Sequence, residues 1–294
     1  MEEYFDERAI AEAAQAASQA DIAVVFAGRN TEWESEGSDL TDLKLPKNQD
    51  QLIKSVARAS AKTVVVLYGG NPFDVSDSIH DVDAVISAQY PGQEGGPALA
   101  DVLTGEGCPR GRSPMTWSKK LERIPTFKNF PSVITSANCT LNYEGALKVR
   151  YRYYLTEADS ARWNFRHGLS YTRFECADLK VERNVAKGED NMIEMEVEVE
   201  NARNVAGAGV VQVYIEVLET SVWRPVKELK AFEKVFLQPR EKKVVKVRMD
   251  EKYVLSFWDE KSSHWIAEAG EFHFHVEHLV ALFILKESFT WNGL

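Results

Sequence analysis

The first hundred residues alternate between amphipathic helical segments and short, almost continuous apolar runs. Within 7–19 the apolar positions Ile10, Ala14 and Ala17 recur at helical spacing, whereas 21–28 (DIAVVFAG) is a nearly unbroken apolar run. The first pattern predicts an amphipathic helix, and the second predicts a strand that is covered on both faces of a parallel sheet. In chain order the pattern predicts a helix at 7–19, a strand at 21–28, a helix at 48–59, strands at 62–69 and 82–88, and a helix at 93–103.

Helices that alternate with buried strands predict a layered, right-handed α/β fold with a parallel sheet. About three such strands can be counted in this sequence. An average sheet has roughly five or six strands. We therefore predict a truncated parallel α/β sandwich as the first domain.

Toward the C-terminus the apolar positions change from helical spacing to strict alternation. The stretch before the change is rich in Pro, Gly and aromatic residues with little periodicity, which predicts a linker on the surface. Alternating strands are predicted at 192–200, 210–217, 235–237, 244–248 and 271–276, with turns at 187–188 and 239–240. This pattern is typical of an antiparallel β-sandwich. The predicted organisation is an α/β domain at 1–118, a linker at 119–172 and a sandwich at 173–294.

Composition restricts the classes of protein to which the chain can belong. Of its 294 residues 44% are hydrophobic and 27% are charged, and the mean hydropathy is -0.32, which is typical of a globular protein. The formal net charge of -10, without any basic run, argues against nucleic acid and anionic membrane surfaces as partners. No apolar run approaches the length of a membrane span.

The cysteines and the N-terminus carry little functional information. Cys108, Cys139 and Cys176 match neither a disulfide framework nor a metal knuckle, so we expect ordinary thiols. The triplet at 138–140 (NCT) fits the glycosylation pattern, which matters only on the secretory route. Residues 1–8 show no secretory leader, so we expect a cytoplasmic protein if this N-terminus is genuine and allow secretion for a longer parent. No cofactor is expected.

The loop after the first predicted strand, 29–39, is acidic and surrounds one tryptophan. Its members are Trp33 with Glu32, Glu34, Glu36 and Asp39. Ligands of parallel α/β folds bind at the carboxyl ends of the strands, where this loop is predicted to lie. A carboxyl group beside an aromatic ring suits a sugar, which stacks on the ring. A solvated acidic loop without a ligand explains the same charges, and both interpretations stay open on this pattern alone.

Several motifs in a fixed order resemble family 3 glycoside hydrolases of the β-glucosidase type. In chain order they read WESEGSD, DLKLP, VVVLYGGNP, QYPGQEGGPALADVLTG, GRSPMTW, NYEGALKVRYRYY, HGLSYTRF and RPVKELKAFEKV. The resemblance runs from about residue 20 to the C-terminus. It implies that the sandwich is fibronectin-III-like, an immunoglobulin-like fold, and that the substrates are small β-glucosides or oligosaccharides.

The resemblance also implies roles for three residues of the acidic loop. Glu36 matches the general acid/base, which protonates the leaving oxygen and later deprotonates water. Trp33 and Asp39 would bind substrate, Trp33 on the aglycone side. The loop departs from the family pattern at Ser38, usually Tyr, and at Leu40, usually Arg, which puts its anchoring in doubt.

The resemblance further implies a catalytic partner that this sequence does not contain. The family takes its Asp nucleophile from an N-terminal (β/α)8 barrel, and nothing here corresponds to one. Retaining hydrolysis needs two carboxyl groups about 5 to 5.5 Å apart that flank the sugar. Since Glu34 and Glu36 share one loop, we expect a chain that carries only the acid/base half of the site and is inactive alone. A further departure is Arg166, where the family usually has Gly and where a positive φ would strain Arg.

Two groups of residues could carry a different chemistry. His273 and His275 share one strand face and His278 follows, which fits either a metal site or half-buried residues of a sandwich, and we favour the second. Gly-rich 92–96 fits tight entry into a helix better than an anion cradle.

Aromatic and acidic positions of the sandwich also allow two interpretations. A set of five aromatics fits a carbohydrate-binding surface or, as we prefer, core packing and domain docking: Trp223, Phe232, Phe257, Trp258 and Trp265. Alternating Glu194, Glu196, Glu198 and Glu200 predict a solvent face.

The leading hypothesis is therefore the acid/base half of a β-glucosidase. The alternative is a non-catalytic glycan-binding or scaffolding protein derived from the family. A nucleotide-binding domain is disfavoured because no phosphate-loop or dinucleotide fingerprint is present.

Overall fold

A computed structural model describes residues 6–130, 133–134, 139–156, 161–184, 191–277 and 284–292. The chain divides into two compact units. The first consists of Met1–Thr104, Trp117–Leu141 and Ser160–Arg162, and the second of Gly105–Thr116, Asn142–Asp159 and Trp163–Leu294. Among the described residues, none of the helices combines the length and the apolar character that crossing a bilayer requires.

The first unit is a small parallel α/β structure. In chain order its elements are α1 (Glu7–Ala17), β1 (Ala23–Gly28), α2 (Gln49–Ala59), β2 (Thr63–Tyr68), β3 (Ala84–Ser87), α3 (Gly95–Thr104), β4 (Trp117–Ser118), β5 (Val133–Ile134) and β6 (Cys139–Thr140), with 3-10 turns at Ile79–Asp81 and Leu121–Arg123. The three main strands form a parallel sheet in the order β1-β2-β3. The side chain of Asp6 accepts a hydrogen bond from the Arg8 amide and caps α1. The predicted parallel sheet is confirmed.

The two faces of β1 differ in burial. Ala23, Val25 and Ala27 are buried, whereas Val24 is 36% exposed and Phe26 58% exposed. The prediction that this strand is covered on both faces is therefore wrong for one face in the described structure. The apolar run identified a strand correctly, but alternate side chains point to opposite faces, and the face that carries Val24 and Phe26 is partly open to solvent in the described structure.

The second unit is an antiparallel sandwich, as predicted. Further along the chain come α4 (Tyr151–Thr156), β7 (Ala161–Trp163), β8 (Phe174–Asn184), β9 (Met192–Asn201), β10 (Gly207–Val217), β11 (Glu228–Leu237), β12 (Lys242–Asp250), α5 (Glu251–Leu255), β13 (Phe257–Asp259), β14 (His264–Ile266), β15 (Gly270–Glu277) and β16 (Ile284–Trp291). One sheet has the order β11-β10-β15-β16 and the other β12-β9-β8. Their inward-facing side chains, including Val197, Val213 and Phe274 at 0% exposure, form the core between the sheets.

The outward face of β9 is a ladder of ion pairs with β12. Lys242 contacts Glu198 and Glu200 at 2.8 and 3.1 Å, Arg248 contacts Glu194 at 2.8 Å, and Lys246 pairs with Glu196. The predicted solvent face is confirmed. Cross-strand pairs of opposite charge help to set the register of the two strands.

Four of the five singled-out aromatics of the sandwich are exposed, and Phe257 is half-buried. Trp223, Phe232, Trp258 and Trp265 are 44%, 66%, 50% and 40% exposed. The core-packing part of the preferred interpretation is therefore wrong for these four, because their side chains point away from the core. Domain docking of these residues stays a prediction. Trp258 and Trp265 pack against each other in a T-shaped pair with ring centroids 5.7 Å apart.

Arg166 adopts the left-handed conformation that its departure from the family pattern suggested. Its φ is 67°, so the strain expected for a side chain at this position is present. The guanidinium lies 5.4 Å from the ring centroid of Tyr214 and donates to Gln212 Oε1 at 3.3 Å. Burial lowers the pKa of Arg166. These contacts offset part of the strain, which is of order 1–3 kcal/mol.

Other sequence predictions have mixed outcomes. Burial raises the pKa of Cys176 to about 12, so this thiol stays protonated and inert at neutral pH. Cys108 is also free. The turn at 187–188, the glycosylation residue Asn138 and the histidine at 278 lie outside the described residues. The domain boundaries at 118 and 172 stay predictions.

Candidate active site

The acidic loop leaves the sheet at the carboxyl end of β1, where two backbones come unusually close. Gly28 has φ +151°, and a Cβ placed on it would lie 2.0 Å from the carbonyl oxygen of Tyr68 on β2. The side-chain amide of Gln49 donates to the Gly28 carbonyl at 2.9 Å, and its oxygen accepts from the Gly28 amide at 2.8 Å. Only glycine allows this approach, which aims the following residues away from the sheet.

Arg29 fixes the two ends of the loop from a buried position. It is 5% exposed, and its guanidinium donates to the carbonyls of Lys44 and Pro72 at 3.1 and 3.4 Å. The same group lies 4.2 Å from the ring centroid of Phe73. Burial lowers the pKa of Arg29, although the nearby acidic groups oppose that shift. One side chain thus holds the segment after β1 and the segment after β2 together.

Glu34 ties the loop to the carboxyl ends of the other two strands. Its carboxylate accepts from the Gly70 amide at 3.0 Å, from the Tyr90 hydroxyl at 2.9 Å and from the side-chain amide of Asn71. Gly69 and Gly70 leave room for it, because a Cβ on either would lie 3.2 Å from a Glu34 oxygen. The loop is therefore anchored at its middle as well as at its base, and Glu34 is engaged in structure rather than free for chemistry.

The hydrogen bonds to Glu34 favour its charged form. Burial acts to raise the pKa of Glu34, but the donors Gly70, Tyr90 and Asn71, with the charge of Arg29, outweigh it and bring the pKa below its ordinary value near 4.5. A lowered pKa in the folded state contributes stability above the unfolded pKa. That contribution is lost as the pH falls through the folded pKa.

Replacing Glu34 with Gln is expected to loosen the loop at neutral pH by about 1–2 kcal/mol, an amount reduced for its partial exposure. As the pH falls below about 4.5 and through the lower folded pKa of Glu34, the difference from the unmodified chain should shrink, because the unmodified carboxyl then loses its charge. Hydrogen–deuterium exchange of peptides that cover 29–48 measures this local stability. Glu36→Gln is the matched control and should change the exchange of these peptides neither at neutral nor at acidic pH. Equal exchange in the two variants would contradict the anchoring role of Glu34.

Glu36 and Asp39 occupy the outer part of the loop. Both residues are exposed, and the turn that carries them is closed by the Ser38 amide donating to the Ser35 carbonyl at 3.3 Å. Within the described chain the Glu36 carboxyl makes no hydrogen bond or ion pair.

Trp33 lines an open cavity of about 380 Å³ at the same end of the sheet. The cavity is bounded by Phe26 and Tyr68 from the strands and by Arg29, Asn30, Trp33, Pro46, Lys47 and Gln49 from the loop and the start of α2. Trp33 is 42% exposed, so part of its ring is free to stack on a ligand. Glu36 and Asp39 are not among the lining residues. The structure thus places the three predicted site residues on one loop but only Trp33 at the cavity.

Sequence reasoning missed the residues that hold the loop. Although Leu40 stands where the family usually has Arg, the loop is anchored by Arg29 and Glu34. The signals were present as Gly-Arg-Asn directly after one apolar run and Gly-Gly-Asn-Pro directly after the next. Glycines at the carboxyl ends of two adjacent parallel strands predict that the two backbones approach closely there and that polar side chains after the strands contact each other.

Comparisons with known proteins agree with this architecture. The model of the glycosyl hydrolase family 3 C-terminal domain matches residues 1–171, and that of a fibronectin type III-like domain matches residues 209–279. The chain is 41% identical over 288 residues to thermostable beta-glucosidase B of Acetivibrio thermocellus, covering 98% of this chain and 37% of that protein. The α/β unit thus corresponds to the C-terminal domain of this glycosidase family, and the sandwich to a fibronectin type III-like domain. The chain belongs to glycosyl hydrolase family 3.

Solved structures give the same result. The crystal structure of a beta-glucosidase from Kluyveromyces marxianus in complex with glucose matches with a TM-score of 0.86 and 36% identity, covering 100% of this chain and 35% of that one. That of a beta-glucosidase from Bifidobacterium adolescentis matches with a TM-score of 0.91 and 32% identity, covering 99% of this chain and 42% of that one. The predicted fibronectin-III-like sandwich and the family resemblance are confirmed. The chain spans little more than a third of the curated relatives' length.

Proposed function

We propose that this chain supplies the acid/base half of a retaining β-glucosidase site, with Glu36 as general acid and base. The observation that carries the proposal is the anchoring of its loop by Arg29 and Glu34, which presents Glu36 at the carboxyl ends of parallel strands. A loop held at its base and middle keeps a carboxyl group in one place, as acid/base catalysis requires. Trp33 and Asp39 bind the substrate, a small β-glucoside or oligosaccharide.

In this proposal Glu36 acts twice. In the first step its proton passes to the glycosidic oxygen as the bond to the anomeric carbon breaks and the nucleophile bonds to that carbon. In the second step the Glu36 carboxylate takes a proton from water, whose oxygen displaces the nucleophile and releases the sugar. Trp33 stacks on the aglycone, since its ring is partly exposed and lines the cavity beside the loop.

The nucleophile is proposed to come from a barrel outside this chain. Glu34 is the acidic neighbour of Glu36 in the same loop, and three hydrogen bonds occupy its carboxylate. A nucleophile must also lie on the opposite side of the anomeric carbon from the acid, about 5 to 5.5 Å away. A residue two positions along the same loop does not meet that requirement.

Isolated and completed forms of the chain test this proposal. The isolated chain is expected to show no turnover of an aryl β-glucoside, because it lacks a nucleophile. Fusing it to the unmatched remainder of the Acetivibrio thermocellus relative should yield turnover, since both halves of the site are then present. Turnover by the isolated chain that disappears in Glu36→Gln would contradict the half-site assignment, and a folded but inactive fusion would count against it as well.

A glycan-binding role without catalysis is the second candidate. It is favoured by the exposed pair Trp258 and Trp265, which stands with Tyr253, itself 51% exposed and 5.3 Å from Trp265 between ring centroids. Exposed aromatic rings are the surfaces on which sugars stack. Calorimetric titration with cello-oligosaccharides distinguishes the two candidate functions. Binding heat that is abolished by Trp265→Ala supports the glycan-binding role. Absence of binding heat leaves the catalytic proposal.

A further inference from the structure

A cluster of two histidines and a glutamate lies on the outer face of the four-stranded sheet of the sandwich. On β15, Phe272 and Phe274 are 1% and 0% exposed and face the core, so the alternate residues His273 and His275 face outward. On β10, Glu216 pairs directly with His273 in the strand register. Three potential metal ligands from two adjacent strands therefore share one face.

The three side chains converge on a single point. Oε2 of Glu216 lies 3.1 Å from Nδ1 of His273 and 2.8 Å from Nε2 of His275, and the three ligand atoms lie within 4.8 Å of one another. His273 is 7% exposed and His275 9% exposed. Both rings are thus held in place by packing, and a ligand at this point would be shielded from most of the solvent.

A second carboxylate orients the ring of His273. Oε1 of Glu271 lies 3.0 Å from Nε2 of His273, on the side of the ring away from Glu216. A proton on Nε2 that is donated to Glu271 leaves the lone pair of Nδ1 directed at the convergence point. Histidine ligands of metal ions commonly donate their other ring N–H to a carboxylate in this way, because it fixes the tautomer and raises the basicity of the ligating nitrogen.

Nδ1 is the ring nitrogen of His275 that does not contact Glu216. This buried atom has no hydrogen-bond partner among the described residues. With Nε2 directed at Glu216, the ring proton of a metal-bound His275 would lie on Nδ1. Lys286, which pairs with His275 across β15 and β16, is exposed and can direct its ammonium group to solvent.

We propose that Glu216, His273 and His275 bind a divalent transition metal ion, with Zn²⁺ as the best fit. Imidazole nitrogen and carboxylate oxygen are zinc ligands, whereas Mg²⁺ and Ca²⁺ prefer oxygen alone. Zinc bonds of about 2.0–2.1 Å place tetrahedral ligand atoms about 3.3 Å apart. The two nitrogen–oxygen distances must therefore open by a few tenths of an ångström, and the two histidine nitrogens, which lie within 4.8 Å of each other, must adopt the same separation. A water molecule would complete the fourth position.

The site ties β10 to β15 and is separate from the candidate active site in sequence and in unit. All of its ligands come from this chain, so it can be tested on the 294-residue protein, prepared without a histidine tag. After treatment with a chelator, calorimetric titration with ZnCl₂ at pH 7.5 is expected to show one ion bound per chain. His273→Gln and His275→Gln should each lose this binding, and Glu271→Gln should weaken it about ten- to a hundredfold.

His264→Gln is the matched control, because His264 is an exposed histidine of the same unit. This variant should leave the titration unchanged. Absence of stoichiometric binding by the unmodified chain, or equal binding by His273→Gln, overturns the proposal. The titration of the unmodified chain tests the proposal even if the variants do not fold. Co²⁺ bound at this site is expected to give the intense visible absorption of a four-coordinate ion, and the weak spectrum of the aqueous ion overturns the proposal.

Discussion

Glu36→Gln in the active fusion described above is expected to reduce the kcat/KM for an alkyl or unactivated aryl β-glucoside about a hundred- to ten-thousandfold. Glutamine can neither protonate the leaving oxygen nor deprotonate water, yet it keeps the size of the side chain. With a substrate whose leaving group needs no protonation, the rate of the first step should fall less. The glycosyl-enzyme should then accumulate, because the second step still lacks its general base. Steady-state and burst kinetics with the two substrates separate these effects.

A small anion provides the sharpest readout of this role. Azide attacks the glycosyl-enzyme without a general base, so it should restore turnover of the activated substrate in Glu36→Gln and yield a glycosyl azide. The matched control is Glu32→Gln, an exposed glutamate of the same loop, which should retain activity and show no rescue. Full activity in Glu36→Gln, or rescue in both variants, rules out Glu36 as the acid/base.

The order of helices and strands could be predicted because each element has its own periodicity. Apolar runs of about six residues located β1 and β2, and alternation over 192–200 located β9 nearly to its ends. Burial could not be predicted equally well. The run that forms β1 looks the same whether one face or both are covered, since coverage depends on other segments and not on the run itself.

The anchors of the acidic loop were harder to predict than its candidate chemistry. Glu36 could be singled out because the motif around it is local. Glu34 accepts from Tyr90, 56 residues away, and Arg29 donates to Pro72, 43 residues away. Partners of this kind become neighbours only when parallel strands align their carboxyl ends, so they follow from topology rather than from spacing.

The proposed metal ligands illustrate the same limit in the sandwich. His273 and His275 share a face by strand alternation alone, which the sequence shows directly. Their third partner, Glu216, precedes His273 by 57 residues and reaches it through the β10–β15 register. Without that register the two histidines were more simply explained as half-buried residues of a sandwich. For the aromatic residues the sequence predicted too much burial. Their size alone suggested core packing, yet Phe232 is 66% exposed.

Gly28→Ala is expected to destabilise the α/β unit by about 3 kcal/mol or more. The added methyl group would lie 2.0 Å from the Tyr68 carbonyl oxygen and 2.8 Å from its carbon, and these are backbone atoms that no rotamer change can move aside. The strands must separate at this point. That separation stretches the 2.9 Å hydrogen bond from the Arg29 amide to Tyr68 and the paired bonds of Gln49 to Gly28. The unfavourable φ of +151° adds to the cost.

Urea unfolding, with hydrogen–deuterium exchange of β2 to assign the transition to this unit, measures the effect of Gly28→Ala. The matched control is Gly96→Ala, because Gly96 lies in α3 and a Cβ there meets nothing within 4 Å. That control should stabilise the unit slightly, since Ala is the better helix former by up to about 1 kcal/mol. A loss below about 1 kcal/mol in Gly28→Ala would show that β1 and β2 can separate freely at their carboxyl ends. The base of the acidic loop would then not be rigid, and the placement of Glu36 would depend on the Arg29 and Glu34 contacts alone.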